Sequence, residues 1–288
     1  MLRESRGTAS ALSTIAHIPP AVRSERIALV ASGKGGVGTS VCSALLALSC
    51  AALGRRTLLI DGNEGNGTLH HLFGVRPLRS IDELRNPAVA VRDVCIDMGE
   101  SFTLVPGKPA SRDLLNLSPE ARRAPFERLL PLSAEYDCVI VDGGSRLDAV
   151  LAIAASGAGH ALLVTDADRI ALASTFALLK VLSTHAPTVH GSVLVNRHEE
   201  SVAQRAGTQL TDACARFLGA DIALAGSIPD DACLRAAIGA GMPIGDAAQD
   251  SPAAASMQAL ALTVFPFLSS AGATAQAPMP NHPLRRRS

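Results

Sequence analysis

The stretch VASGKGGVGTSVCSALLAL, residues 30–48, decides the fold. It reads as the end of an apolar strand, a glycine-rich turn and the start of a helix. Gly33, Gly35, Gly36 and Gly38 let the backbone turn tightly and aim N–H groups at one point, and a helix beginning near Thr39 adds its positive end, so the segment predicts a phosphate cradle. The pattern G-x-x-x-x-G-K-[ST] fits Gly33 to Ser40 at every fixed position except 39, where threonine stands in place of lysine. Ser40 falls where a hydroxyl would ligate Mg²⁺.

Working outward, strand-like apolar runs recur at 26–32, 56–61, 102–107, 138–144, 160–166, 191–196 and 221–229. Helical patterns lie between most of them, at 40–54, 119–133, 147–155, 168–184 and 199–218. Strands that are apolar on both faces and alternate with helices predict an α/β fold: a mostly parallel, doubly wound sheet flanked by helices on both faces. In such sheets ligands bind beyond the carboxyl ends of the strands. Residues 1–24 and 270–288 are rich in small and polar residues and read as tails. The expected organisation is therefore an N-terminal tail (1–24), one nucleotide-binding domain (25–268) and a C-terminal tail (269–288).

One of those strand ends, YDCVIVDGG, places Asp142 after four apolar residues, the form of a carboxylate that holds Mg²⁺ opposite a phosphate loop. A competing reading takes Gly33, Gly35 and Gly38 as G-x-G-x-x-G and Asp61 as a ribose-binding carboxylate, which would make the chain an NAD(P)-dependent oxidoreductase. That reading leaves Lys34, Ser40 and Asp142 without a role.

With loop and strand end placed, the chain resembles the MinD/ParA family of deviant Walker ATPases, whose loop reads K-G-G-x-G-K-[ST] with an extra lysine near its start. Here Lys34-Gly35-Gly36-Val37-Gly38-Thr39-Ser40 matches all but the second lysine. The segment 57–75 resembles the family's D-x-D switch, and LVNR (194–197) and SIPDD (227–231) resemble its adenine-side elements. The resemblance implies a P-loop NTPase fold with ATP and Mg²⁺ as cofactors. Phosphate would be met by Gly33 to Ser40, the metal by Ser40 and Asp142, and the base by Asn196 and Pro229, with Arg197 a further nucleotide-binding residue. Lys34, reaching across an ATP-dependent homodimer, and Asp61, a carboxylate beside the metal or one layer behind it, would be the catalytic residues. Within the family the layout is most similar to the FlhG branch, which implies a flagellar or cell-pole partner and a cytoplasmic protein that touches the inner face of the membrane. Some FlhG proteins carry a D-Q-A-x-x-L-R motif, which residues 1–24 lack.

Three positions depart from the family: Thr39 for lysine, Asn63 for the second aspartate of D-x-D, and DGGSRL (142–147) in place of D-x-x-G. Each predicts weaker hydrolysis. A slow ATP switch and a pseudo-ATPase that only binds partners both stay open, as does a DNA-partitioning protein of the ParA type.

Composition bounds these readings. Residues 1–288 carry no net charge and a pI near 7.1, so no global field favours nucleic acid, which is not an expected partner. Lysine occurs only at 34, 108 and 180, so one inside the glycine loop is not filler. Six cysteines without a C-x-x-C pair read as reduced core residues. His70 and His71 lack companions at metal-ligand spacing and read as polar surface or half-buried packing. The arginines of EARRAPFER (120–128) and LRRRS (284–288) read as solvated surface. The apolar segment 253–270 reads as a last helix docked on the sheet, with an amphipathic membrane contact as the alternative.

Overall fold

The structure, a computed structural model, describes residues 24–108 and 117–266. Eight strands form one sheet: β1 Ser24–Ala31, β2 Thr57–Asp61, β3 Ile96–Asp97, β4 Phe102–Val105, β5 Cys138–Gly144, β6 Ala158–Thr165, β7 His190–Asn196 and β8 Ala223–Ile228. Their spatial order is β3-β4-β2-β5-β1-β6-β7-β8, and only the β3–β4 pair is antiparallel. The chain moves from β1 outward to β2 and β4, returns through β5, and continues on the other side with β6 to β8. The glycine loop after β1 therefore sits at the switch point, between the carboxyl ends of β5 and β6.

The nine helices among the described residues are α1 Thr39–Ala52, α2 Leu69–Leu72, α3 Pro119–Leu129, α4 Leu147–Ala155, α5 Arg169–His185, α6 Glu200–Leu218, α7 Ala232–Gly239, α8 Ile244–Ala247 and α9 Pro252–Val264. Alternation along β1 splits the core between them. Ala28 and Val30 pack with α1 and α9 on one face, and Ile27, Leu29 and Ala31 pack with α4, α5 and α6 on the other. The expected strands and helices are thus found, with local corrections. The helical pattern at 119–133 ends at Leu129 and continues as a 3₁₀ turn, Leu130–Glu135, because Pro131 has no N–H to extend the ladder. Strand 102–107 stops at Val105, and 221–229 narrows to 223–228.

Helix α9 buries Ala253, Ala254, Met257, Ala261 and Val264 in the core face shared with α1. The docked reading of 253–270 therefore holds as far as 264; Phe267 and the LRRRS cluster lie outside the described residues. Among the described residues no helix is long and apolar enough to cross a membrane.

Candidate functional site

Helix α1 starts on Gly38, which sits at φ 96°, a left-handed conformation that glycine adopts without penalty. No side chain caps the helix and its first turn holds no acidic residue, so the first N–H groups are open to an anion. The loop is held from three sides. Asn196 at the end of β7 donates from Nδ2 to the Val37 carbonyl at 2.8 Å, and a Cβ on Gly38 would stand 2.4 Å from that same nitrogen. Ser32 donates its backbone N–H to the Gly144 carbonyl of β5 at 2.9 Å. Gly33 lies against α5 so closely that a Cβ there would meet the Ser174 carbonyl at 2.3 Å. Gly35 and Gly36 are exposed at the mouth of the loop, whereas Val37 is buried.

The two lysine positions behave differently. Thr39 is 8% exposed, and its Oγ1 donates to Ser32 Oγ at 2.8 Å, so the residue replacing lysine is turned into the fold. Lys34 extends along the protein and pairs with Asp168 at 2.9 Å. Asp168 is the N-cap of α5, accepting from Ile170 and Ala171. Lys34 and two of these helix N–H groups hold its carboxyl below the ordinary carboxylate range, with the lysine bond the largest cause. Nothing in local spacing marks Asp168 as the partner of Lys34; the contact exists because β1 and β6 are neighbours in the sheet.

Asp61 and Asp142 are register partners on adjacent strands, and both are buried. Burial raises both carboxyls above their ordinary range, and their mutual repulsion raises Asp61 further. The N–H groups of Leu69 and Asn63 donate to Asp61, whereas Ser40 and Ser43 hydroxyls and the Gly144 N–H stabilise charged Asp142. Asp142 Oδ2 is nevertheless buried with no hydrogen-bond partner. An orphaned carboxylate oxygen beside the half-buried Ser40 is a hard, oxygen-donor set, which fits Mg²⁺. Asn63 lies over Gly144, where an added Cβ would fall 2.2 Å from its Oδ1.

At the far side of the loop, Asn196 is register partner to Ile228, so Asn196, Arg197 and Pro229 stand together at the ends of β7 and β8. Arg197 has φ 66°, a strained conformation for a side-chain-bearing residue. The adjacent His198 bonds Asp166 at 2.7 Å.

The sequence missed one built feature. Glu64, next to Asn63, pairs with Arg122 of α3, and Arg85 approaches its other oxygen at 3.6 Å. The Glu64 and Arg122 side chains are each 8% exposed, and Arg122 also reaches Asp148 at 3.3 Å. The cluster EARRAPFER is therefore partly structural instead of solvated. Pro125 inside α3 leaves the Ala121 carbonyl free, and Arg85 Nε donates to it at 3.0 Å. Arg128 donates to the Leu84, Asn86 and Val89 carbonyls. His70 also departs from expectation: it is 5% exposed and its pKa is lowered by burial, while His71 is exposed.

Comparison with known proteins agrees with this architecture. The chain is 27% identical over 240 residues to the antiactivator FleN of Pseudomonas aeruginosa, covering 83% of this chain and 86% of that one. It is 29% identical over 212 residues to the septum site-determining protein MinD of Bacillus subtilis, covering 70% and 75%. The structure of MinD with Mg-ADP from Pyrococcus horikoshii superposes with a TM-score of 0.69 at 23% identity, covering 83% of this chain and 95% of that one. A ParA family ATPase from Chlorobium tepidum gives 0.67 at 19%, covering 83% and 99%. Residues 28–244 match the CobQ/CobB/MinD/ParA nucleotide binding domain, and the chain belongs to that family.

Proposed function

We propose that the chain binds ATP with Mg²⁺ and acts as a placement or number regulator of the MinD and FlhG type, with weak ATP turnover at most. The observation that carries the proposal is the pairing of an open, backbone-built anion cradle at the start of α1 with the orphaned Asp142 oxygen beside it. The N–H groups of Gly35, Gly36, Gly38, Thr39 and Ser40 would bind phosphate oxygens. Ser40 and Asp142 would hold Mg²⁺, which would neutralise phosphate charge, and Asp61 would hold the switch segment through Leu69 and Asn63. Asn196 fixes the loop and, with Pro229, would border the base.

Weak turnover follows from two side chains. Thr39 presents no cation to the phosphates, and Asn63 offers an amide where a carboxylate would orient water. A charge-stabilising donor in a closed site contributes about 10²–10³ in rate. The regulatory role rests on likeness to FleN, to MinD and to the Helicobacter pylori flagellum site-determining protein YlxH, the last 25% identical over 154 residues, about half of each chain. Its partners would be a second copy of the chain, closing over ATP with Lys34 released from Asp168, and a flagellar or cell-pole protein. Any peripheral membrane contact would have to use surface other than the face of α9 packed on α1.

Calorimetric titration with ATP and ADP, each with and without Mg²⁺, tests the reading. Micromolar, Mg²⁺-dependent binding is expected; no binding up to millimolar ATP would refute it.

A further inference from the structure

We infer that Arg197 supplies the nucleotide's phosphates with the side-chain positive charge that Thr39 does not. The inference deepens the nucleotide-binding reading and rests on it. Its starting point is a deficit. Mg²⁺ and a loop of backbone N–H groups would still leave part of a polyphosphate's charge uncompensated, and the Thr39 side chain is turned away to Ser32. Lys34, the loop's own cation, is engaged by Asp168.

Arg197 stands at the deficit. Its Nη2 would lie 3.5 Å from a Cβ on Gly38, so the guanidinium rests over the last turn of the loop, where α1 begins. Its field reaches Cys42 in the first turn of α1, where it opposes the burial that leaves the thiol raised to about 12. Among the described residues no carboxylate pairs with it, in contrast to Lys34. The backbone explains how it arrives there. At φ 66° residue 197 turns out of the β7 direction, and this turn is fixed on one side by the Asn196 bond to Val37 and on the other by the His198 N–H bond to the Ile228 carbonyl at 3.1 Å. A strained residue held between two fixed neighbours, with its guanidinium over an anion cradle and paired to no described carboxylate, is a device for presenting charge. A guanidinium also matches phosphate oxygens two at a time, which a threonine hydroxyl does not.

The test uses the full chain and four probes, adenosine, AMP, ADP and ATP, with Mg²⁺, titrated into wild type, Arg197→Gln, Arg197→Lys and the double variant Arg197→Gln/Thr39→Lys. Glutamine keeps side-chain length without charge, and thermal melts check that each variant folds. Arg197→Gln is expected to weaken ADP and ATP by about 10- to 100-fold, the range for a hydrogen bond to a charged group, and to leave adenosine within twofold. Arg197→Lys should lose less, and Thr39→Lys should restore the double variant. ADP and ATP affinities unchanged in Arg197→Gln would overturn the inference while leaving nucleotide binding intact. An equal loss for adenosine would also overturn it, placing the residue on the base. Wild-type protein that binds none of the four would instead refute the nucleotide reading itself.

Discussion

Replacing Arg122 by methionine tests whether the segment after β2 is anchored by its buried ion pair. Glu64 and Arg122 are each 8% exposed, so removing the guanidinium strands a carboxylate in the interior. Breaking such a pair costs about 3–5 kcal/mol. Arg85 remains 3.6 Å from Glu64 and compensates in part, while Asp148 is half in solvent and loses little, which argues for the lower end, about 3 kcal/mol. Methionine preserves most of the apolar stem, so the loss is electrostatic and not a cavity. For a domain of this size about 1 kcal/mol moves the melting temperature by roughly 2–4 °C, giving a fall of about 6–12 °C by calorimetry. Glu64→Leu/Arg122→Met removes the orphaned charge and is expected to recover most of it. A single variant within about 1 kcal/mol of wild type, or a double variant no better than the single, would refute the argument.

Three further outcomes are expected. Thr39→Lys with Asn63→Asp should raise steady-state phosphate release from ATP by about 10²-fold or more, and unchanged release with ATP binding intact would count against the assignment of slow turnover to these two positions. Gly33→Ala drives a methyl into the Ser174 backbone, so the loop must shift: a stability loss of about 1–3 kcal/mol and a clear loss of nucleotide affinity should appear together, and normal affinity would show that loop position is unimportant. His160, which shares a hydrogen with Ser192 at 2.8 Å, has its pKa lowered by burial, and further by His190, from 6.5 to about 4. As pH falls, the unfolded chain takes up that proton first, so stability is full above about 6.5 and declines towards 4, by at most about 3 kcal/mol. His160→Gln should flatten that decline in urea melts relative to wild type; identical slopes would exclude the residue as its source.

The sheet was legible because its central strands are buried on both faces and so read as unbroken apolar runs, with the glycine loop marking the first crossover. Strand β3 escaped because two residues, Ile96 and Asp97, are too short to show a period. The site's backbone was legible for the same reason as the sheet, since glycines at fixed spacing report a local conformation. What the sequence did not carry were the contacts made by topology. Lys34 meets Asp168 only because β6 is inserted beside β1, and Glu64 meets Arg122 only because α3 packs under the β2 end. Read in isolation, EARRAPFER is a charged surface helix. Its burial depends on a partner carboxylate whose sequence neighbours say nothing about arginine.

These two classes of feature also divide the chemistry. Every element that shapes the cradle is backbone or holds backbone: the left-handed turn at Gly38, the Asn196 bond to Val37, the Ser32 bond to Gly144. All of these are in place, and none depends on the residue at 39. Elements that accelerate phosphoryl transfer are side chains aimed at developing charge, and under the proposed function it is there that Thr39 and Asn63 would place neutral groups. Loss of the water-orienting carboxylate at 63 would lower turnover without removing ground-state affinity, and the charge missing at 39 is the one that Arg197 would supply. A protein altered in this way would keep the nucleotide-bound form for longer, because the step that ends it is slow while the contacts that establish it persist. For a regulator whose partners distinguish bound from free states, that shifts the population towards the bound state at a given ATP concentration.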